Sequence, residues 1–235
     1  MTSPLPLFPL NTVLFPGLVL PLHVFEERYR DLIQFLVDLP DGTPREFGVV
    51  AIHRGNEVVE PPSTTSIGDD EQAVTLYSVG CVASVRQVTH NEDGTYDIVA
   101  VGTRRFQIAD LAEGSEPYLL AVVRPLAEDG ADSEGDEAQA LATRVLALFR
   151  EYLEVLRPND DLSEQLPGEP QVLSYLVAAA AELTTDDRQR LLASPDTASR
   201  LRSEIRILTR EKALLSQIRA VPSPLSRWAV APRPN

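Results

Sequence analysis

Short apolar runs rich in β-branched residues dominate the first half of the chain and predict β-strands. The first two are Phe47–Ile52 and the longer run Val74–Val88. Three more follow, Tyr96–Val101, Arg105–Ile108 and Tyr118–Val123. Asn91-Glu92-Asp93-Gly94 predicts a tight hairpin turn, because Asp-Gly supplies the backbone angles that such turns need. Short strands joined by hairpins predict a small barrel or a curled sheet.

One helix interrupts these strands. Apolar residues recur at helical spacing between Phe25 and Val37, and Glu26 and Glu27 fall in the predicted first turn, where the helix dipole favours acids. The run Pro40-Asp41-Gly42 predicts where this helix has ended. Among the strands, Gly102 is typical of a bend or a β-bulge.

In the second half the apolar period becomes helical. One stripe carries the apolar positions Leu141, Val145, Leu148, Tyr152 and Val155. Val172–Leu183 is apolar nearly all round and predicts a buried central helix. A short helix is predicted from Thr185 through Leu192. Ser194-Pro195-Asp196 predicts the start of a long last helix, with Ser194 as N-cap, that continues to about Ala220.

The distribution of charge predicts a boundary between the two halves. The chain has 235 residues and a formal net charge of −14. Residues 126–143 carry six acids and no base, and the stretch Ala127 to Glu137 lacks large apolar groups. We therefore predict a β domain over residues 1–125, an acidic linker over 126–137, a helical bundle over 138–221 and a proline-rich tail over 222–235.

The same charge argues against two classes of partner. Nucleic-acid binders neutralise phosphates with Lys and Arg, and anionic membranes attract basic surfaces, so neither is the expected partner. The run from Leu5 to Leu22 is apolar but contains four prolines and no basic residue, which fits neither a signal peptide nor a membrane span. The expected location is the cytoplasm, and the single cysteine agrees with a reducing compartment.

Known catalytic, cofactor and metal-binding motifs are absent from the sequence, so no cofactor or metal is expected. Two weak enzymatic alternatives stay open. Cys81 could pair with a histidine, although a strand cysteine is more often a core residue. Lys212 and Ser216 have the spacing of one helical turn, although a base lysine must be desolvated and these two lie among charged residues. The histidines available to the first alternative are His23, His53 and His90.

Several motifs resemble one family in the right order along the chain. Pro6-Leu7-Phe8-Pro9-Leu10, Val13-Leu14-Phe15-Pro16-Gly17 and the run Leu20–Tyr29 (LPLHVFEERY) resemble the opening of the Lon protease N-terminal, substrate-binding domain. The segments Val79–Ala83, Val101–Phe106 and Pro117–Ala121 are similar to its later strands, and Leu183–Leu208 is similar to its helical part.

This resemblance implies an α+β fold: an N-terminal PUA-like β pseudo-barrel with one inserted helix, then an α-helical bundle ending in a long helix. It also implies a stand-alone form of the domain, because the chain carries no sequence typical of an AAA+ ATPase or a peptidase. The expected function is non-enzymatic binding of unfolded or hydrophobic polypeptide segments, or docking on a protease or another protein. Nine signature residues are the candidates for that contact: Phe15, Pro16, Leu22, His23, Phe25, Arg28, Tyr29, Arg105 and Phe106.

Two alternative functions are kept beside this one. The first is a cryptic peptidase or other hydrolase that works without ATP through Cys81 or through Lys212 and Ser216. The second is RNA binding, because PUA-like barrels include RNA readers, although residues 1–125 carry 8 basic and 17 acidic groups, a net charge of −9.

Overall fold

The computed structural model describes residues 4–53, 64–67, 74–112, 115–127, 135–156 and 166–220. The strands are β1 (Leu5–Leu10), β2 (Val19–Val24), β3 (Glu46–His53), β4 (Thr64–Ile67), β5 (Val74–Tyr77), β6 (Val79–His90), β7 (Tyr96–Ala112) and β8 (Leu120–Pro125). The helices are α1 (Glu27–Val37), α2 (Asp136–Leu156), α3 (Pro170–Ala180), α4 (Thr185–Leu192) and α5 (Thr197–Ala220).

Five strands close into a ring. β1 pairs with β8, and the antiparallel pairings then run through β7 and β6 to β3. The ring closes where β3 pairs in parallel with β1, with Leu7 opposite Gly48. β2 lies outside this ring and pairs with the first part of β7, whereas β5 and β4 extend the sheet beyond β3. The α+β prediction is confirmed, and the small barrel is the β part of it.

Two apolar clusters hold the β part together. One fills the ring, because its members come from all five ring strands: Leu7, Val50, Val82, Phe106, Ile108 and Ala121, with Leu76 of β5. The other lies between the outer face of the sheet and α1, whose buried residues are Tyr29, Leu32, Ile33 and Leu36. Complete burial of such a side chain contributes about 1.5–3 kcal/mol, so these clusters account for much of the stability of the β part.

A third cluster joins the helices to the sheet. Val13, Phe15, Ala51, Tyr77 and Val79 pack against Tyr175, Ala178, Leu191 and Leu192. Polar contacts accompany this packing: the Gln189 side chain donates to the Val79 carbonyl at 2.7 Å, and the Tyr77 hydroxyl donates to Asp186. The remaining helical core lies between α2, α3 and α5, which pack through Val145, Phe149, Tyr152, Leu173, Val177, Leu201 and Leu208.

The strand predictions need two corrections. Tyr96–Val101 and Arg105–Ile108 are parts of one strand, β7, because a bulge at Thr103 absorbs the irregularity predicted at Gly102. A Cβ at Gly102 would lie 2.3 Å from the Phe15 carbonyl oxygen, so this close approach of two backbones requires glycine. The run predicted over Val74–Val88 is broken at Ser78 into β5 and β6. The predicted hairpin is present, with Gly94 at φ +82°.

The helix predictions also need correction at their starts. Phe25 precedes α1, which begins at Glu27 after Glu26 as N-cap. α5 begins at Thr197, and the Asp196 carboxylate accepts the Ser199 amide at 2.6 Å, so Asp196 rather than Ser194 has the capping role. α2 begins at Asp136, inside the predicted linker. Residues 128–134 of that linker and the predicted tail lie outside the described residues.

Candidate functional site

A groove opens between β1 and β2, at the start of α1. Its cavity volume is about 260 Å³. It is lined by Phe8, Pro9, Leu10, Asn11, Leu22, His23, Val24, Phe25, Glu26, Arg28, Tyr29 and Ile52. We call this feature the β1–β2 groove. Its lining combines apolar side chains from three strands with a few polar groups, which is typical of binding sites.

The floor of the β1–β2 groove is aromatic. The rings of Phe8 and Tyr29 stack with centroids 4.1 Å apart, so β1 and α1 are fixed to each other there. Burial raises the pKa of the Tyr29 phenol, and the Arg28 guanidinium, 5.1 Å from the Tyr29 ring centre, opposes that rise. The phenol therefore stays neutral and offers a polar edge within an apolar floor.

Phe25 forms the rim of the groove. Val24 before it is buried, and Glu26 after it has the extended backbone of an N-cap, so the short link between β2 and α1 holds Phe25 outward. The Phe25 side chain is 65% exposed. Aromatic residues are usually more buried than this, so Phe25 adds an exposed ring to one side of an apolar cavity.

Charged groups flank the rim in pairs. The Glu26 carboxylate does not cap α1 but accepts hydrogen bonds from Arg28, at 3.0 Å from Nε and 2.7 Å from Nη2. Nδ1 of His23 lies 2.7 Å from Oδ1 of Asp97 on β7. Hydrogen bonds from Asn91 and His23 lower the pKa of Asp97, so that its carboxylate is charged at neutral pH. The rim is therefore polar and acidic around an apolar centre.

The predicted candidates divide into two groups. Leu22, His23, Phe25, Arg28 and Tyr29 all line the β1–β2 groove. The other four, Phe15, Pro16, Arg105 and Phe106, do not line it.

Phe15, Arg105 and Phe106 have at most 1% of their surface exposed, and Pro16 is half-buried. For the three buried residues, packing explains the place in the signature, because a side chain without exposed surface cannot contact a polypeptide. Phe15 contacts Tyr175 between sheet and helices, and Phe106 lies inside the ring.

Arg105 is a structural residue that holds the helices against the sheet. Its guanidinium donates to the carbonyls of Leu192 at 3.0 Å, Ala127 at 2.9 Å and Ser194. The guanidinium thus supplies charged hydrogen-bond donors to backbone carbonyls beside the end of α4. Nothing in the local sequence distinguishes this arginine from the exposed Arg104 before it.

Sequence reasoning did not assign the other wall of the groove. Phe8, Pro9, Leu10 and Asn11 come from β1 and the residue after it, and Ile52 from β3. The proline-rich run Pro6–Leu10 was part of the resemblance. It could have indicated a strand with an unpaired edge, because proline in sheets is confined to such positions.

The described residues do not bring together the side chains that the two enzymatic alternatives require. Cys81 is 0% exposed, within the cluster under α1. The three histidines lie elsewhere, against Asp97 (His23), Tyr77 (His53) and Tyr96 (His90). The Lys212 ammonium is half-exposed and contacts the Glu151 carboxylate of α2. The side chain of Ser216 lies outside the described residues.

The described ranges contain neither a metal-binding cluster nor a helix that could span a membrane. They contain no cluster of three or more His, Cys, Asp or Glu side chains that could hold a metal ion. In the same part of the chain, no helix has the length and apolar character needed to cross a membrane.

The fold of this chain is similar to that of solved Lon N-terminal domains. A Lon N-terminal domain protein from Xanthomonas campestris superposes with a TM-score of 0.60 and 24% identity, over 88% of this chain and 98% of that one. The N-terminal domain of the Mycobacterium avium complex Lon protease gives 0.61 and 23%, over 90% and 98%. These similarities show the shared fold.

The chain belongs to the family of the ATP-dependent protease La (LON) substrate-binding domain, whose model matches residues 4–210. Lon protease 2 of Myxococcus xanthus is 30% identical over 90% of this chain and 24% of its own length. Lon protease 2 of Syntrophobacter fumaroxidans is 32% identical over 88% and 24%. The chain therefore spans about a quarter of the length of these relatives, and the family resemblance is confirmed.

Proposed function

We propose that this protein is a polypeptide-recognition module that holds extended, apolar segments of unfolded proteins in the β1–β2 groove. The observation that carries the proposal is Phe25, an aromatic ring 65% exposed at the rim of an apolar cavity. Unfolded chains expose apolar side chains that folded proteins bury, so such a ring discriminates between the two states. The family, a protease's substrate-binding domain, supports the same role.

The proposed role is binding without bond cleavage. The β1–β2 groove contains no nucleophile with an adjacent base among its lining residues, and its charged side chains and its histidine are used in the pairs Arg28–Glu26 and His23–Asp97. The relatives are Lon proteases, which supports a proteolytic fate for the bound segments. In that case a protease would be the protein to which this module delivers them.

The first prediction concerns Phe25. Phe25→Ala is expected to weaken binding of a labelled unfolded polypeptide, such as reduced and carboxamidomethylated lysozyme, by about 10- to 100-fold, because buried aromatic anchors dominate interface energies at about 1–3 kcal/mol or more. Fluorescence anisotropy measures the dissociation constant directly.

The matched control is Phe35→Ala. Phe35 is also an exposed phenylalanine, 47% accessible, but it lies against Tyr118 away from the groove. Its removal is expected to leave the dissociation constant unchanged within about twofold. Equal losses from the two variants would show that binding follows general surface hydrophobicity and would overturn the proposed site.

A further inference from the structure

β2 has a single partner among the described strands. Its residues Val19–Val24 pair with Val101–Tyr96 of β7, and no other described strand pairs with it. One long edge of β2 therefore carries main-chain groups without a sheet partner. Unpaired edges of this kind are templates for an added strand.

The register identifies which main-chain groups face that edge. The Gly102 amide donates to the Leu18 carbonyl at 2.9 Å, so Leu18 faces β7. Because main-chain groups alternate in direction along a strand, Leu20, Leu22 and Val24 also face β7. Val19, Pro21 and His23 face the open edge. Proline at the middle position agrees with this assignment, since proline has no amide hydrogen to donate to β7.

β1 presents a second open edge across the groove. The Leu7 amide donates to the Leu119 carbonyl at 2.8 Å, on the side of β1 opposite β3. Pro9, two residues on, faces the same side, beyond the last residue of β1 that pairs with β8. The cavity is lined by Phe8–Asn11 on one side and Leu22–Glu26 on the other. It therefore lies between two strand edges, each with a proline at an outward position.

We propose that the polypeptide enters the β1–β2 groove as an added β-strand that pairs with the open edge of β2. Val19 and His23 each offer an amide and a carbonyl, and Pro21 offers a carbonyl, so an extended segment of about five residues can form up to five main-chain hydrogen bonds over about 13 Å. Alternate side chains of the segment then face the apolar lining. This inference rests on the proposed function and adds its mode of recognition.

The acidic residues near the β1–β2 groove determine which charge the bound segment can carry. Glu26, Glu27 and Asp97 stand at this end of the molecule against Arg28, which is already paired with Glu26. The chain as a whole carries a net charge of −14. Acidic segments are therefore repelled, and the expected occupant is an extended segment with apolar and basic residues. Main-chain pairing tolerates many sequences, which suits a receptor for unfolded proteins.

The test uses a labelled apolar and basic peptide of about nine residues and two N-methylated forms of it. In each form a different set of alternate amides is methylated, so composition and hydrophobicity are matched. If the peptide pairs with β2 through one of its edges, only the amides on that edge form hydrogen bonds, and these amides are one of the two sets. One form is expected to bind about tenfold or more weakly, because it loses several main-chain hydrogen bonds together, and the other is expected to bind like the parent.

The protein side of the contact is tested at His23. His23→Pro removes the outward amide but no hydrogen bond to β7, whereas His23→Ala removes the same side chain and keeps the amide. His23→Pro is expected to bind the parent peptide about threefold to tenfold more weakly than His23→Ala. Circular dichroism establishes that both variants are folded.

The outcomes separate this inference from the proposed function. Equal affinities of the two methylated forms would overturn strand addition while leaving peptide binding in place. Failure of the parent peptide to bind at all would overturn both. A stable dimer of this chain that peptide does not dissociate, with the Val19 and His23 amides protected from hydrogen exchange, would show that a second copy occupies the edge.

Discussion

Replacing Arg105 with methionine is expected to lower the free energy of unfolding by about 3–5 kcal/mol, because buried carbonyls lose charged hydrogen-bond donors. The guanidinium is 1% exposed and donates to carbonyls of Leu192, Ser194 and Ala127. Leu192 and Ser194 are buried residues, so their carbonyls cannot turn to water when the guanidinium is removed. Urea denaturation followed by circular dichroism measures the loss.

Arg104→Met is the matched control for this variant. Arg104 is the neighbouring residue, and its side chain pairs with Glu46 at 2.9 and 2.7 Å on the surface. Exposed pairs contribute about 1 kcal/mol or less, so this variant is expected to be nearly as stable as the parent. Arg105→Lys is not expected to restore stability, because an ammonium cannot reproduce the planar fork that reaches several carbonyls. Similar losses at positions 104 and 105 would contradict the structural role of Arg105.

The second large effect concerns the buried carboxyl group of Glu204 on α5. Glu204 is 1% exposed, and no described group donates a hydrogen bond to either carboxyl oxygen. Burial raises the pKa of Glu204 well above its ordinary value of 4.5, although Arg200 one turn earlier opposes the rise. The folded protein therefore holds this proton more tightly than the unfolded chain does.

This difference fixes the sign of a pH effect. The stabilising contribution of protonated Glu204 is complete below the ordinary pKa of 4.5 and is lost as the pH rises through the folded value. Between about pH 5 and pH 8 the free energy of unfolding of the parent is expected to fall by about 1–3 kcal/mol relative to that of Glu204→Gln. The comparison uses urea denaturation of both proteins at several pH values.

The difference in the free energy of unfolding between the parent and Glu204→Gln, taken at each pH, cancels the contributions of other groups that titrate. Asp187 is one of them: burial opposes the shift, but hydrogen bonds from Arg210 and Thr184 lower its pKa, so its contribution has the opposite sign and is lost as the pH falls. Asp187 is unchanged in Glu204→Gln, and its effect cancels. Parallel pH profiles for the two proteins would contradict the burial of an unpaired carboxyl group at position 204.

Local signals in the sequence predicted the elements that local interactions determine. α4 has the predicted bounds, Thr185 through Leu192, because Thr184 caps it and the acids Asp186 and Asp187 fall in its first turn. The hairpin at Gly94 follows in the same way from turn chemistry. The start of α5 was placed too early, because Ser194 has the composition of a cap, but its carbonyl accepts Arg105 and its hydroxyl donates to Arg190.

Features that depend on distant contacts could not be predicted in this way. Gly102 signalled an irregularity, but only the approach of Phe15, far away in the sequence, explains why a single strand with a bulge results. Charged residues are rarely buried, so nothing in the composition indicated that Arg105 lies inside the protein. The acceptors of Arg105 at Leu192 and Ser194 lie almost ninety residues further along the chain.

The sequence indicated one wall of the candidate groove but not the wall that faces it. The family resemblance indicated Leu22, His23, Phe25, Arg28 and Tyr29 as candidates, and these five residues line one groove in the structure. The facing wall, Phe8 to Asn11, could not be assigned, because the parallel pairing of β1 with β3 brings it there. The division into domains and the PUA-like classification stay predictions; the apolar cluster around Phe15 and Tyr175 joins the two halves across the predicted boundary.

The most direct test of the account is to locate a bound polypeptide on the protein. Amide chemical shifts of the nitrogen-15-labelled protein, followed by nuclear magnetic resonance during titration with an unlabelled unfolded polypeptide, provide that location. If polypeptide binds in the β1–β2 groove, saturable shifts are expected in Phe8–Asn11 and Val19–Tyr29, with little change in α2 to α5. Shifts concentrated on the helices, or none at saturating polypeptide, would contradict it.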